Sequence, residues 1–192
     1  MSCIIVLGCY RSGTSAAAGI LHHLGVFMGS EFDKPNKSNP SGYYEDLDFK
    51  RLFDKMSEGF DVDGQLDVLM RIREAEHTIW GFKDPQLCLL MHKVVPLVKT
   101  DLKIIVMMRP REEIADSLSR AMPNVTEIPT NWAPLVFQPV KKMGEFIHDY
   151  NGPVLHLEWA DVKTNPSREV ERIANFVGLP VKQEAVDFVR QS

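Results

Sequence analysis

Cysteine is scarce in this chain: Cys3, Cys9 and Cys88 are the only three in 192 residues, and none forms a C-x-x-C pair. An odd, scattered set offers no disulfide framework and no zinc-ribbon spacing, and it points to a reducing compartment. Long apolar runs are missing too. No stretch approaches the ~20 residues of a membrane-spanning helix, and the N-terminus lacks the basic stretch and long apolar core of a secretory leader. The expected location is therefore cytoplasmic, and the Asn-X-Ser/Thr sequons at 36–38 and 124–126 carry no consequence. Nor is there an excess of positive charge. Twenty-two lysines and arginines are outnumbered by 26 aspartates and glutamates, for a formal net charge of −4. Nucleic acid and anionic membranes lose their usual electrostatic support as partners. Any anion bound here must be held by a local cluster of cations.

Metal-ligand patterns are equally hard to find. Asp61-Val62-Asp63-Gly64 lacks the later ligands of a calcium loop and reads as a turn. His22-His23 has no accompanying carboxylate or cysteine pattern, and packing or surface placement is the expected role. No metal site is expected. Internal repeats and low-complexity tracts are also absent.

What is present fits a folded α/β protein. Hydrophobic residues make up 44% of the chain and charged residues 25%, an ordinary globular balance. At this length a single domain, 1–192, with a sizeable core is expected. Strand-like apolar runs occur at 4–7, 78–82, 104–108 and 154–157. Helical patterns separate them at 15–24, 47–58, 66–76, 86–98, 112–122, 137–150 and 167–177. Strands apolar on both faces, alternating with helices, predict a central, mainly parallel sheet flanked by helices in three layers. Two loop-rich segments, 31–44 and 123–139, interrupt the rhythm and are candidates for acceptor recognition or a lid. Plain surface connection is the alternative for both.

The first chemical signal lies at the start. The apolar run Cys3-Ile4-Ile5-Val6-Leu7 leads into Gly8-Cys9-Tyr10-Arg11-Ser12-Gly13-Thr14-Ser15 and then Ala16-Ala17-Ala18. Strand, Gly-rich loop and helix N-terminus form an anion cradle, because backbone N–H groups converge where the helix dipole is positive. The frame is that of the nucleotide P-loop, G-x-x-x-x-G-K-S/T, but Thr14 stands in the lysine position. Arg11 is the replacement cation, a planar fork suited to two oxygens of one anion. A tight strand–helix turn without a ligand remains the alternative. Cys9, inside the loop, reads as a small buried filler.

A second strand, Lys103-Ile104-Ile105-Val106-Met107-Met108, ends in Arg109, with Ser117 eight residues on in the next helix. A P-loop NTPase would place a magnesium-holding Asp at such a strand end. Here a cation stands there instead, which counts against ATP and magnesium chemistry. A helix-flanking surface arginine is the plainer reading of Arg109.

Arg11-Ser12-Gly13-Thr14-Ser15 after a strand resembles the 5′-phosphosulfate loop of the sulfotransferases that use 3′-phosphoadenosine 5′-phosphosulfate (PAPS). Arg109 and Ser117 resemble that family's 3′-phosphate element. Asn39-Pro40-Ser41-Gly42-Tyr43-Tyr44-Glu45 and Trp80-Gly81-Phe82-Lys83-Asp84-Pro85-Gln86-Leu87 resemble two further stretches of bacterial members, and Trp159-Ala160-Asp161 through Pro180 resembles their C-terminal region. The resemblance implies a P-loop-type fold, PAPS as co-substrate, and sulfuryl transfer to a hydroxyl or amine of a small-molecule, glycan or lipid acceptor. It implies that Arg11, Ser12, Gly13, Thr14 and Ser15 hold the phosphosulfate and that Arg109 and Ser117 hold the 3′-phosphate. Arg11 and Lys83 would stabilise charge on the transferring group.

Two departures stand out. Cytosolic members carry a catalytic His where this chain has Pro85, which leaves Glu45 as the expected general base. The sequence also ends at Arg190-Gln191-Ser192 without the Arg-Lys-Gly segment that closes the adenine site in animal cytosolic members. Plainer alternatives exist: a dipole-stabilised helix-start carboxylate for Glu45, with Asp46 able to exchange roles, and a strand-end ion pair with Asp84 for Lys83. Phe27, Phe32, Tyr43, Tyr44, Phe53, Trp132 and Phe137 line an acceptor pocket or simply fill the core. A P-loop kinase-like phosphotransferase and a catalytically idle nucleotide-binding protein of the same fold stay open as other functions.

Overall fold

A computed structural model describes residues 1–37, 39–121 and 136–191. All four strand-like runs form strands: β1 (Ser2–Leu7), β2 (Ile79–Lys83), β3 (Asp101–Met108) and β4 (Val154–Glu158). They make one sheet in the order β2-β1-β3-β4, and every pairing is parallel. β1 is central, with Val6 in register with Lys83 on one side and Ile105 on the other.

Alternation along the strands sends successive side chains to opposite faces. Cys3, Ile5 and Leu7 of β1 join Ile104 and Val106 of β3 in one core. Ile4 and Val6 join Ile105 and Met107 in the other. Helices α2 (Leu47–Ser57), α3 (Asp63–Glu76), α4 (Leu87–Val94), α5 (Arg111–Ala121) and α6 (Gln138–Asp149) contribute to the first core. There Phe49 stacks on Phe82 with ring centroids 4.5 Å apart, and Trp80 is fully buried. The second core is filled by α1 (Thr14–Leu24), α7 (Trp159–Thr164), α8 (Pro166–Val177) and α9 (Gln183–Gln191). Two sheet faces, both covered by helices, are the three layers expected.

Helices α7 and α9 were not expected from the sequence, and the stretch 86–98 divides into α4 and a 3₁₀ turn at Val95–Leu97. Pro96 lacks the N–H that an α-helix needs there, so the chain tightens instead. Most of the loop-rich segment 123–139, including Trp132, lies outside the described residues.

Every strand among the described residues runs the same way, so all four carboxyl ends lie along one edge. β1 ends at the Gly8–Gly13 loop, β2 at Lys83, β3 just before Arg109 and β4 just before Trp159. In open parallel sheets ligands bind at this edge.

Candidate active site

The β1–α1 loop is built to aim backbone at a ligand. Gly13 has φ 99°, and Arg11 itself sits at φ 64°, a conformation that costs a non-glycine residue of order 1–2 kcal/mol. A Cβ on Gly13 would lie 2.5 Å from Trp159 Cε3, so only glycine fits beneath that ring. Ser12 is buried and donates its hydroxyl to the Cys9 carbonyl at 2.7 Å, which braces the loop from within. Ser12 therefore shapes the cradle, whereas Thr14 and Ser15 begin α1 and line the cleft above it. Burial pushes the Cys9 thiol up to about 11, in keeping with a filler.

Arg109 is not a surface arginine. Its side chain is 14% exposed and donates from Nη1 to the Arg11 carbonyl at 2.9 Å, while Nε meets Glu113 at 3.1 Å. Arg11 in turn donates Nε to Ser117 Oγ at 3.0 Å. The loop and the β3–α5 element thus meet directly, although 106 residues separate Arg11 from Ser117. Burial lowers Arg11's hold on its proton; a contribution from Tyr43 opposes this, while Arg109 and Arg120 add to the lowering. Neighbouring guanidiniums crowded in this way favour an anion between them.

At the other end of the cleft Lys83 donates to Glu45 at 2.6 Å, with both side chains buried, and Lys50 lies 3.8 Å from the second Glu45 oxygen. Lys83 pairs with Glu45 and not with its chain neighbour Asp84. Glu45 does not start α2 either: Asp46 is the cap, accepting the Asp48 N–H at 3.0 Å and pairing with the buried Arg73 at 3.1 Å. The two adjacent carboxylates thus separate into a structural cap, Asp46, and a cleft-facing group, Glu45.

Asp84 is a further buried acid. One oxygen accepts the Gln86 N–H at 2.8 Å, and the other finds no hydrogen-bond partner among the described residues. Burial and the nearby Glu45 push Asp84 up to about 6. The same group of acids acts on its neighbours. Burial, then Asp84, Glu45 and Asp54, push the Tyr10 phenol up to about 12. At Lys50 burial opposes the charged form, but Asp84, Glu45, Asp54 and Asp33 outweigh it and raise the amine.

Both ends open into one cleft of ≈ 440 Å³, lined by Arg11, Glu45, Lys83, Arg109 and Ser117 with Trp159 and Phe188 as apolar walls. The candidate residues drawn from separate stretches of sequence are therefore brought together. Asn39 reaches across to Ser15 at 3.2 Å, and Tyr43 lines the cleft, so part of the first loop-rich segment forms its rim. The other aromatics divide. Phe53 is core, Phe27 stacks on His77 at 3.6 Å, Phe32 and Tyr44 pack near His22, and Phe137 is 43% exposed beneath Arg111.

Trp159, Lys50 and Phe188 were not singled out as site residues from the sequence. Trp159 had a usable signal, since it directly follows an apolar strand on the ligand-binding edge. Phe188 had none. Among the described residues no group of three or more His, Cys, Asp or Glu side chains could hold a metal ion, and no helix is long and apolar enough to cross a membrane.

A family model described as a sulfotransferase domain matches residues 2–192, and the chain belongs to that family. Dog sulfotransferase 1A1 is 40% identical over 55 residues, a stretch that is 29% of this chain and only 18% of that relative. Among solved structures, the sulfotransferase domain of the Synechococcus PCC 7002 olefin synthase is similar in fold, with a TM-score of 0.63 at 13% identity over 97% of this chain and 76% of that one. Mouse sulfotransferase SULT7A1, solved with PAP, gives a TM-score of 0.50 at 15% identity over 100% of this chain and 64% of that one. A sugar kinase from Janibacter sp. HTCC2649 shares the fold as well, with a TM-score of 0.53 at 12% identity over 96% of this chain and 98% of that one. The fold alone therefore does not decide which group is transferred.

Proposed function

We propose that this chain, acting as one sulfotransferase domain, moves the sulfuryl group of PAPS to a hydroxyl or amine of a small-molecule, glycan or lipid acceptor. The observation that carries the reading is the single cleft joining an arginine-rich end, Arg11 and Arg109 with Ser117, to a buried carboxylate–lysine pair, Glu45 and Lys83. The PAP held by the mouse structure supports the choice of nucleotide. Cysteines that are all free and buried fit a cytoplasmic setting.

The roles follow from chemistry. The loop from Arg11 to Ser15 receives the phosphosulfate, and Arg109 with Ser117 receives the 3′-phosphate through charge and a rotatable hydroxyl. Glu45 takes the acceptor proton as the acceptor oxygen or nitrogen bonds to sulfur. The bond from sulfur to the bridging oxygen breaks, and adenosine 3′,5′-bisphosphate leaves. Lys83 and Arg11 offset negative charge on the equatorial and bridging oxygens. Positioning and electrostatics supply most of the rate, as in phosphoryl transfer. A sulfuryl group carries less charge than a phosphoryl group, so the proposed reaction uses side-chain cations and no metal.

Calorimetric titration tests the nucleotide assignment. Adenosine 3′,5′-bisphosphate should bind more tightly than 5′-AMP, with EDTA making no difference. Arg109→Ala should erase most of that preference, about 1.5–3 kcal/mol for a charge-assisted contact. Equal affinities for the two nucleotides would sink the assignment, and a strict magnesium requirement would favour a kinase-like phosphotransferase. Nucleotide binding without turnover on any acceptor would point to an idle binding protein.

A further inference from the structure

We propose that Phe188, on the C-terminal helix α9, is a positioning residue for Glu45, acting through Tyr44; this rests on the reading of Glu45 as the base. Tyr44 directly precedes Glu45 and has φ 54°, which makes it and Arg11 the two non-glycine residues in the left-handed region among those described. Such a backbone persists only where its surroundings over-determine it. The Tyr44 ring is enclosed by Phe32 at 5.4 Å, Phe188 at 5.5 Å and His22 at 5.7 Å. Phe188 meets it edge-on at 83°, a favourable aromatic geometry, and also lies 4.9 Å from His23.

Gly19 of α1 makes this contact possible, because a Cβ there would run into the Phe188 ring and stand 3.0 Å from Tyr44 Cε2. Glu45 is thus held from both sides. Asp46 anchors it to the start of α2, and Tyr44 anchors it to α1 and α9. Removing the Phe188 ring frees the strained side of the turn, so Glu45 swings away and uncovers Lys83, whose side chain is 1% exposed.

The test has an arm that does not depend on activity. In Phe188→Ala, acylation of Lys83 by a water-soluble amine reagent, followed by mass spectrometry, should quicken about tenfold through cheaper local opening. Lys103, bonded to the Phe176 carbonyl at 2.9 Å, serves as the internal reference and should not change. Single-turnover transfer from PAPS should fall by about 10²-fold, the scale of a small misplacement. Phe188→Tyr, which keeps the ring, should restore both. Unchanged Lys83 acylation overturns the proposal, as does a rate loss that Tyr does not rescue. If Phe188→Ala does not fold, Tyr44→Gly removes the ring at a φ that glycine tolerates, and a still-shielded Lys83 there overturns it equally. If the wild-type protein transfers no sulfuryl group, the proposed function fails, and the Lys83 arm still decides the positioning role.

Discussion

At the scale of single residues, three neighbouring carboxylates of similar chemistry are assigned different work by what surrounds them. Asp46 caps a helix and pairs with Arg73, Glu45 meets two lysines in the cleft, and Asp84 is buried with one oxygen unpartnered. Glu45→Gln keeps the shape and removes the basic oxygen. Single-turnover transfer should drop by about 10²–10⁴-fold, the usual weight of a general base, while nucleotide affinity stays near wild type. Full activity in Glu45→Gln, with Asp46→Asn or Asp84→Asn inactive, would move the base elsewhere. Asp84 also makes a prediction about pH. Its value rises from 3.8 to about 6 on folding, so the folded state holds a proton that the unfolded chain has already released. Stability from this group is intact below the unfolded value and is lost as pH rises through about 6. Asp84→Asn keeps the acceptor for Gln86 and removes the charge. It should be more stable than wild type at neutral pH by of order 2 kcal/mol, with the gap closing in melts taken below about pH 4. A gap that persists in acid would show that packing, not titration, sets it.

At the scale of elements, the strands were the most legible part. Each apolar run became a strand within a few residues, because burial on both faces of β1, β2 and most of β3 leaves little choice of pattern, while β4 at the sheet edge still buries Leu157. The short α7 and the amphipathic α9 were harder. α7 is a six-residue helix directly continuous with β4, so no breaker marks its start. α9 follows Pro180 and has an apolar face, Ala185, Val186 and Val189, that acquires meaning only against α1, α7 and α8. The start of α2 depends on Asp46. Asp46→Ala loses the cap and half of the carboxylate pairing of Arg73, which keeps Asp48 at 3.1 Å. The cost in denaturant unfolding should be about 2–4 kcal/mol. Asp46→Asn, which can still cap, should cost less. Equal costs for the two would assign the whole effect to the lost charge.

At the scale of the whole molecule, the parallel sheet explains why residues far apart in the chain share one cleft. Four strands pointing the same way deliver Arg11, Lys83, Arg109 and Trp159 to one edge, with the β1 loop at its centre. The sequence by itself determined the strands, the loop with Thr14 in place of the lysine, and Arg109 with Ser117 at helical spacing from a strand end. These are local patterns, written in apolar alternation, glycine placement and charge. Only the tertiary structure decided that Arg11 contacts Ser117, that Lys83 chooses Glu45 over Asp84, and that Phe188 braces Tyr44. Each of those is a contact across tens of residues or more, set by strand order and helix packing, and no local pattern in a single chain encodes which distant partner a buried charge or ring will meet.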